Sequence, residues 1–443
     1  MGLDGRLARG ALGVHELEGV EAGRERPAED VEPQAPPVLG SCGSGLDAPG
    51  PTVQRGRHDG AERSNGPRIL SNQTGTYYNA PVRRLWRAVL DRVTPYEPGP
   101  PLDALARELG LPEVVRLSAN ENPLGPSPRV LEAIRREAAR VHLYPDGGAH
   151  ALRAALAARL GVAPAQVIVG NGADELLALL AWAAFEPGDE VVVPQPAFEP
   201  YATVTALAGA AVVASPLAGY DIDLDDVARR VGPRTKAVIL CSPHNPTGTV
   251  LRRAALVAFL DALGAEGPLV VLDEAYRDFC DDPEAPDGVA LLARYPRLLV
   301  LRTFSKIAGL AGLRVGYAIA APETIERLDR VRAPYNVNRL GQVAALAALE
   351  DSEHWARVRA LVIAERAFLA RELAQRGFPA PPSQANFLLV RVPDAEGVRA
   401  RLLRAGLLVR AGAALGFPDH LRISVGTRDV NARLLAALDA GPR

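Results

Sequence analysis

Residues Leu298 to Ala320 read LLVLRTFSKIAGLAGLRVGYAIA: an apolar run, a hydroxyl-rich turn ending in Ser305-Lys306, and a second apolar run entered through Arg314. Lysine is the scarce residue in this chain. Lys236 and Lys306 are the two lysines among 50 basic residues. A guanidinium stays protonated and cannot condense with an aldehyde, whereas an ammonium in a partly desolvated place can lose its proton and do so. Lys306 is therefore the candidate nucleophile. Lys236, in RTKAVIL just ahead of an apolar run, reads as an ordinary solvated strand-start residue.

Working outward from that stretch, residues from about 166 to 320 alternate short apolar runs with helical segments. The runs are QVIVG, DEVVVP, AAVVAS, KAVILC, PLVVLDE, LLVLRT and LRVGYAIA. This rhythm predicts an α/β fold with a mostly parallel seven-stranded sheet and helices on both faces. Ligands of such sheets bind outside the carboxyl ends of the strands, where the unusual residues of this chain lie. From about 336 a long helical region precedes ANFLLVRV, GLLVRAG and HLRISVGT, which read as a smaller C-terminal α+β domain.

Ahead of the sheet, PVRRLWRAVLDRV has the period of an amphipathic helix, and LDALARELG that of a short one. EVVRLSANENPLGPSP reads as an extended, turn-punctuated arm rather than a core element. PRVLEAIRREAARV is a helix, and LYPDGGAHALRAALAARLG holds Tyr144 beside a Pro-Asp-Gly turn before another. Residues 1–76 are rich in Gly and Pro, with charge scattered without period, and read as a disordered extension. The expected division is thus 1–76, an arm with helices at 77–125, a large domain at 126–335 and a small domain at 336–443.

Composition narrows the function. With 443 residues and 48% hydrophobic content the chain can bury a large core. A net charge of -2 with mixed signs offers no basic field for nucleic acid or anionic lipid, so small-molecule partners are expected. No apolar run reaches the length of a membrane span and no secretory signal is visible, so a cytoplasmic location is expected. Cys42, Cys241 and Cys280 are few, odd in number and far apart, as reduced thiols would be, and the seven histidines show no metal-ligand spacing.

Four groups of residues carry chemistry. Gly170-Asn171-Gly172-Ala173-Asp174 leads from a strand into a helix, whose N-terminus suits phosphate, although the same turn also reads as a tight connection capped by an acid. Ser242 to Gly248, SPHNPTG, follows a strand and is made rigid by two prolines around Asn245. VVLDEAY ends a strand in a carboxylate pair with Tyr276 three residues beyond Asp273, and a carboxylate buried there needs a cation such as a protonated pyridine nitrogen. Thr303, Ser305 and Arg314 surround Lys306 with phosphate donors. Together they match one cofactor, pyridoxal 5'-phosphate.

SPHNPTG, LDEAY and TFSK with an arginine eight positions after its lysine resemble, in this order, the fold type I aminotransferases over about residues 80–440. TPYEPG, SANENPLGPSP, YPDGG, GNGADE, APYNVN and LRISVGT are similar to the histidinol-phosphate aminotransferase group. The resemblance implies that Lys306 binds the cofactor covalently, that Asp273 faces its ring nitrogen and that Asn245 and Tyr276 face its ring oxygen. Phe198 would stack on the ring. Ala173, Asp174, Thr303, Ser305 and Arg314 would hold the phosphate, joined by Tyr144 of the neighbouring subunit in a homodimer. Arg422 would clamp a substrate carboxylate or phosphate, with Arg410, Tyr96 and Asn120 beside it. Ala308, His150 and Ala411 depart from common family residues near the pocket and bear on substrate identity. The implied reaction interconverts histidinol phosphate and 2-oxoglutarate with imidazole acetol phosphate and glutamate. An aromatic amino-acid aminotransferase and a decarboxylase of a phosphorylated amino acid are the alternatives. A DNA-binding regulator on this fold is disfavoured, because residues 1–76 lack a basic recognition helix.

Overall fold

A computed structural model describes residues 84–95 and 99–440. Its first strand, β1 (Val115–Leu117), lies in the segment expected to be an arm without a core role. β1 instead pairs in parallel with β10 (Leu407–Ala411), Val115 opposite Leu407, and buries Leu117. With β11 (His420–Ser424) and β9 (Phe387–Arg391) these form a four-stranded sheet in the order β1-β10-β11-β9. Leu369 and Leu373 of the helix Ser352–Gln375, Leu402, and Leu434, Leu435 and Leu438 of the C-terminal helix Arg428–Asp439 cover it.

The seven expected strands are all present, as β2 (Val167–Gly170), β3 (Glu190–Gln195), β4 (Ala211–Pro216), β5 (Thr235–Cys241), β6 (Leu269–Asp273), β7 (Leu298–Thr303) and β8 (Gly316–Ile319). They form one sheet in the order β2-β8-β7-β6-β5-β3-β4. Pairing from β4 through β3, β5 and β6 to β7 is parallel, and β8 runs antiparallel to both β7 and β2. Alternate residues of one strand enter different cores, as strands covered on both faces must. Val270 and Leu272 pack with Leu152, Leu156 and Leu256 on one face, while Val271 packs with Leu176, Leu180 and Ile325 on the other.

Two expectations change. The amphipathic helix read over 81–93 is, from residue 84 on, only a short 3-10 turn, Ala88–Arg92, with no buried residue. Val89 and Val93 are partly buried, the turn lying beside the helix Pro200–Ala208, and a helix of that length is marginal without fuller packing. The boundary at 335/336 precedes a helix, Arg339–Leu349, whose Ala344, Ala345 and Ala348 pack in the large sheet's core. The reading of residues 1–76 lies outside the described residues. Among those described, no helix is long and apolar enough to cross a membrane.

Candidate active site

Register assembles the site. Cys241 of β5 stands opposite Asp273 of β6, and Asp273 opposite Leu301 of β7, so the segments leaving these three carboxyl ends start side by side. Antiparallel β8 sets Gly316 beside both Thr303 and Gly170. That brings Arg314 and the helix Ala173–Ala184 to the same edge of the sheet.

Lys306 sits in the turn after β7 with Nζ donating to Ala119 O at 3.0 Å and 5.6 Å from the centre of the Tyr276 ring. Its side chain keeps some open surface, yet the surrounding protein, and then the Arg422 cation, lower its pKa to about 8. Asp273 ends β6 and is 4% exposed. Tyr201 Oη donates to its Oδ2 at 2.6 Å, and the Ala275 N–H to its Oδ1 at 2.9 Å. Burial outweighs these donors and raises its pKa to about 6. Glu274, its neighbour, faces the other way: Arg302 lies 2.7 Å from Oε2, and the Gly288 N–H donates to Oε1. The carboxylate pair of the sequence thus divides into one acid with arginine partners and one, Asp273, that forms no ion pair among the described residues.

At the phosphate end, Ala173 and Asp174 open the helix after Gly172, whose φ of 85° only glycine adopts readily. A Cβ on Gly172 would lie 2.5 Å from the Arg314 guanidinium, and one on Gly316 2.5 Å from the Ala173 backbone nitrogen. Arg314 Nη2 meets Asp174 Oδ2 at 3.1 Å. Ser305 is buried there, its N–H bonded to Thr303 Oγ1. Thr303, expected among the phosphate donors, lies beside Ser305 at the end of β7. Its hydroxyl accepts from Ser305 and donates to Val315 O at 3.4 Å, so it braces the turn. Residues 112–438 of this chain match the family model described as aminotransferase class I and II. The chain belongs to that family.

This aminotransferase is 49% identical over 349 residues to the histidinol-phosphate aminotransferase of Anaeromyxobacter sp. (strain Fw109-5), spanning 78% of this chain and 96% of that protein. It is 46% identical over 356 residues to the enzyme of the same name from Symbiobacterium thermophilum, spanning 80% and 98%. Its fold is similar to the crystal structure of histidinol-phosphate aminotransferase from Sinorhizobium meliloti in complex with pyridoxal-5'-phosphate, with a TM-score of 0.74, 32% identity, and coverage of 82% of this chain and 98% of that one.

The aminotransferase's small sheet supplies the other end of the site. Arg422 of β11 donates from Nη1 to Asn245 Oδ1 and from Nη2 to Ser118 O, both at 2.7 Å. Asn120, at a φ of 56°, donates through Nδ2 to Tyr276 Oη at 3.1 Å and is tied to Ser424 of β11. Burial raises the Tyr276 phenol to about 12, so it stays protonated. Arg410 lies opposite Arg422 on β10 and pairs with Glu199. Phe198 stands edge-on at 5.5 Å to Tyr201, the donor to the Asp273 carboxylate.

Other expected residues lie elsewhere in the aminotransferase. The Tyr144 ring is 77% exposed and stacks on Tyr335 at 4.6 Å, apart from these contacts. Tyr96 lies outside the described residues. Lys236 is half-exposed and 3.8 Å from Asp189, as a solvated residue should be. Ala308 is packed in the large core, and His150 is exposed and bonded to Asp146. Tyr201, Glu199 and the buried His244 were not singled out from the sequence. A tyrosine on the apolar face of a short helix was the available signal, since a buried phenol needs a partner. A groove of about 940 Å³ opens between 218–225, 249–255 and 379–384, and none of the site residues above line it.

Proposed function

We propose that this aminotransferase carries pyridoxal 5'-phosphate on Lys306 and transfers the amino group between histidinol phosphate and 2-oxoglutarate, forming imidazole acetol phosphate and glutamate. One observation carries the reading: a lysine of lowered pKa, a buried carboxylate without an ion pair among the described residues and a glycine-lined helix N-terminus meet at a single sheet edge. The cofactor fits these residues. Asp273 suits a protonated ring nitrogen, and the space that a Cβ on Gly172 or Gly316 would fill leaves the N–H groups at Ala173 and Asp174 approachable by phosphate. When bound, pyridoxal 5'-phosphate supplies an aldehyde carbon and a conjugated ring that withdraws electrons from the substrate's α-carbon.

The chain's own groups do the rest. Lys306 Nζ, partly neutral near pH 7.5, takes the proton from the substrate α-carbon. Asp273, oriented by Tyr201 and Ala275, holds positive charge at the ring nitrogen. Tyr276 keeps its phenol proton as a donor, and Asn245 is fixed by Arg422. Arg422 clamps an anion bidentately, and one guanidinium can serve carboxylate and phosphate in turn. The substrate follows the relatives named above. The working unit is a cytoplasmic homodimer, with Tyr144 reaching its neighbour's phosphate cradle.

The test is a set of half-reactions of the purified holoenzyme, followed by absorbance, with histidinol phosphate, glutamate, phenylalanine and tyrosine. Histidinol phosphate should give the highest kcat/KM among the non-glutamate donors. Preference for phenylalanine or tyrosine would make the enzyme an aromatic aminotransferase instead, and release of carbon dioxide from an added phosphorylated amino acid would make it a decarboxylase.

A further inference from the structure

Tyr144 stands on an irregular stretch between the helices Pro128–Ala138 and His150–Leu160. Its ring is exposed, with the half-exposed ring of Tyr335, a residue at a φ of 56°, stacked on it. The backbone beneath that ring is tied at four carbonyls. Carbonyls outside helix and strand need other donors, and three side chains of the segment 332–342 supply them. Arg339 donates from Nε to Leu143 O at 3.3 Å and from Nη2 to Tyr144 O, Gln342 Nε2 donates to Asp146 O at 3.0 Å, and Arg332 Nη1 to Gly147 O at 2.6 Å.

Arg339 holds Tyr144 itself. It opens the helix Arg339–Leu349, whose alanines pack in the large core, so its place is set by a fixed element. Nη1 meets Glu137 Oε1 at 2.6 Å, and the other two nitrogens of the fork serve the two successive carbonyls. A planar guanidinium can bond one carboxylate and two carbonyls at once, which an ammonium on a flexible stem does less well. The same segment also touches its own chain's phosphate cradle. Asn336 Nδ2 donates to Glu175 Oε2, the acceptor of the Asn171 N–H, and Asn338 Nδ2 donates to Leu313 O beside Arg314. Among the described residues, however, every hydrogen bond of Arg339 goes to residues 137–144, which points its effect at Tyr144.

We propose that Arg339 is a positioning residue for the neighbouring subunit's cofactor site: by fixing the backbone at Leu143 and Tyr144 it presents the exposed phenol in one place, ready to donate to the phosphate of the partner's cofactor. This role rests on the shared-site reading of Tyr144. Its physical basis is preorganisation, since a loop already fixed loses little freedom when its side chain engages a ligand. Replacing Arg339 therefore loosens cofactor binding in the chain that borrows Tyr144, not in the chain that carries the replacement.

Dimers of defined composition, purified through two different affinity tags after subunit exchange, separate the two effects. Each contains one Lys306→Ala chain, so only its partner can hold pyridoxal 5'-phosphate covalently. Borohydride reduction followed by intact mass then measures how much of that partner is loaded at each cofactor concentration. With Arg339→Met on the Lys306→Ala chain, the half-loading concentration should rise about threefold to tenfold over a hybrid without it, the size of one weakened hydrogen bond to a charged group. With Arg339→Met on the Lys306-bearing chain instead, it should not change. Glu137 keeps Arg140 at 3.5 Å in the variant, and Arg339→Lys, which retains the charge but not the fork, repeats the comparison should Arg339→Met fail to fold. Loss confined to the chain bearing the replacement, equal loss in both hybrids, or no loss in either overturns the role of Arg339. Tyr144→Ala on the Lys306→Ala chain checks the shared-site reading separately. Should that hybrid load like the control, or should no hybrid form, Tyr144 is not shared and the role of Arg339 falls with it.

Discussion

Lys306 and Asp273 are shifted in opposite directions by the same cause, because burial disfavours whichever form of a group is charged. For Lys306 this leaves a neutral amine available. Covalent capture of the cofactor should speed up with rising pH and level off above about pH 8, as stopped-flow absorbance on cofactor-free protein can follow. Lys306→Arg should capture none: after borohydride reduction, the intact mass of the wild type includes the cofactor and that of the variant does not. A variant that still gains this mass would shift the role to Lys236. For Asp273 the folded-state pKa lies above the unfolded value, so its stabilising contribution is complete at pH below 3.8 and is lost as pH rises through about 6. At pH 7.5 the cofactor-free fold therefore holds an ionised, buried acid. Asp273→Asn cannot ionise, and by linkage it should be more stable than the wild type in cofactor-free form by about 2–3 kcal/mol at pH 7.5, with the difference gone near pH 4. Its half-reaction should slow by about a hundredfold or more, since the ring nitrogen loses its counter-charge. Denaturant titrations at the two pH values and single-turnover kinetics check both parts, and a variant no more stable at pH 7.5 would mean that Asp273 is not strained by burial.

At the scale of elements, the glycine turns set the cradle. A Cβ on Gly316 would lie 2.5 Å from the Ala173 nitrogen and 2.6 Å from the Gly172 carbonyl carbon, which are backbone atoms with little freedom to move. Gly316→Ala should push the first turn of the Ala173–Ala184 helix out of place and weaken cofactor retention about tenfold or more by loss of oriented N–H groups. Equilibrium dialysis of the folded variant measures this, and unchanged retention would place the phosphate elsewhere. Elements also show where local pattern fails. β1 is three residues between polar turns, and its partner β10 lies far along the chain, so only the ladder itself defines it. The stretch from 84 to 93 shows the converse, an amphipathic period whose apolar side is only partly buried and which forms no α-helix.

At the scale of the whole molecule, Tyr144 is the residue that tests how many chains make a site. It stands exposed and away from the cofactor residues of its own chain, which agrees with service to a neighbour. Mixing Lys306→Ala/Arg422→Ala with Tyr144→Ala under subunit exchange gives hybrids in which one site keeps its own lysine and clamp and borrows Tyr144. Random exchange makes about half the dimers hybrid with one complete site of two, so activity should return to roughly a quarter of the wild type. A mixture as inactive as its parents, with exchange demonstrated, would count against a shared site. The strands and chemical groups were legible in the sequence because strands buried on both faces appear as continuous apolar runs, and the rare residues follow them directly. TFSK, LDEAY and SPHNPTG place Lys306, Asp273 and Asn245 at or just beyond the carboxyl ends of β7, β6 and β5. The order β2-β8-β7-β6-β5-β3-β4, the hold of Tyr201 on Asp273 from 72 residues away and that of Glu199 on Arg410 from 211 were decided only by the tertiary structure. Pairing at such separations leaves no period in the chain, since it is chosen by which surfaces meet when the two cores close.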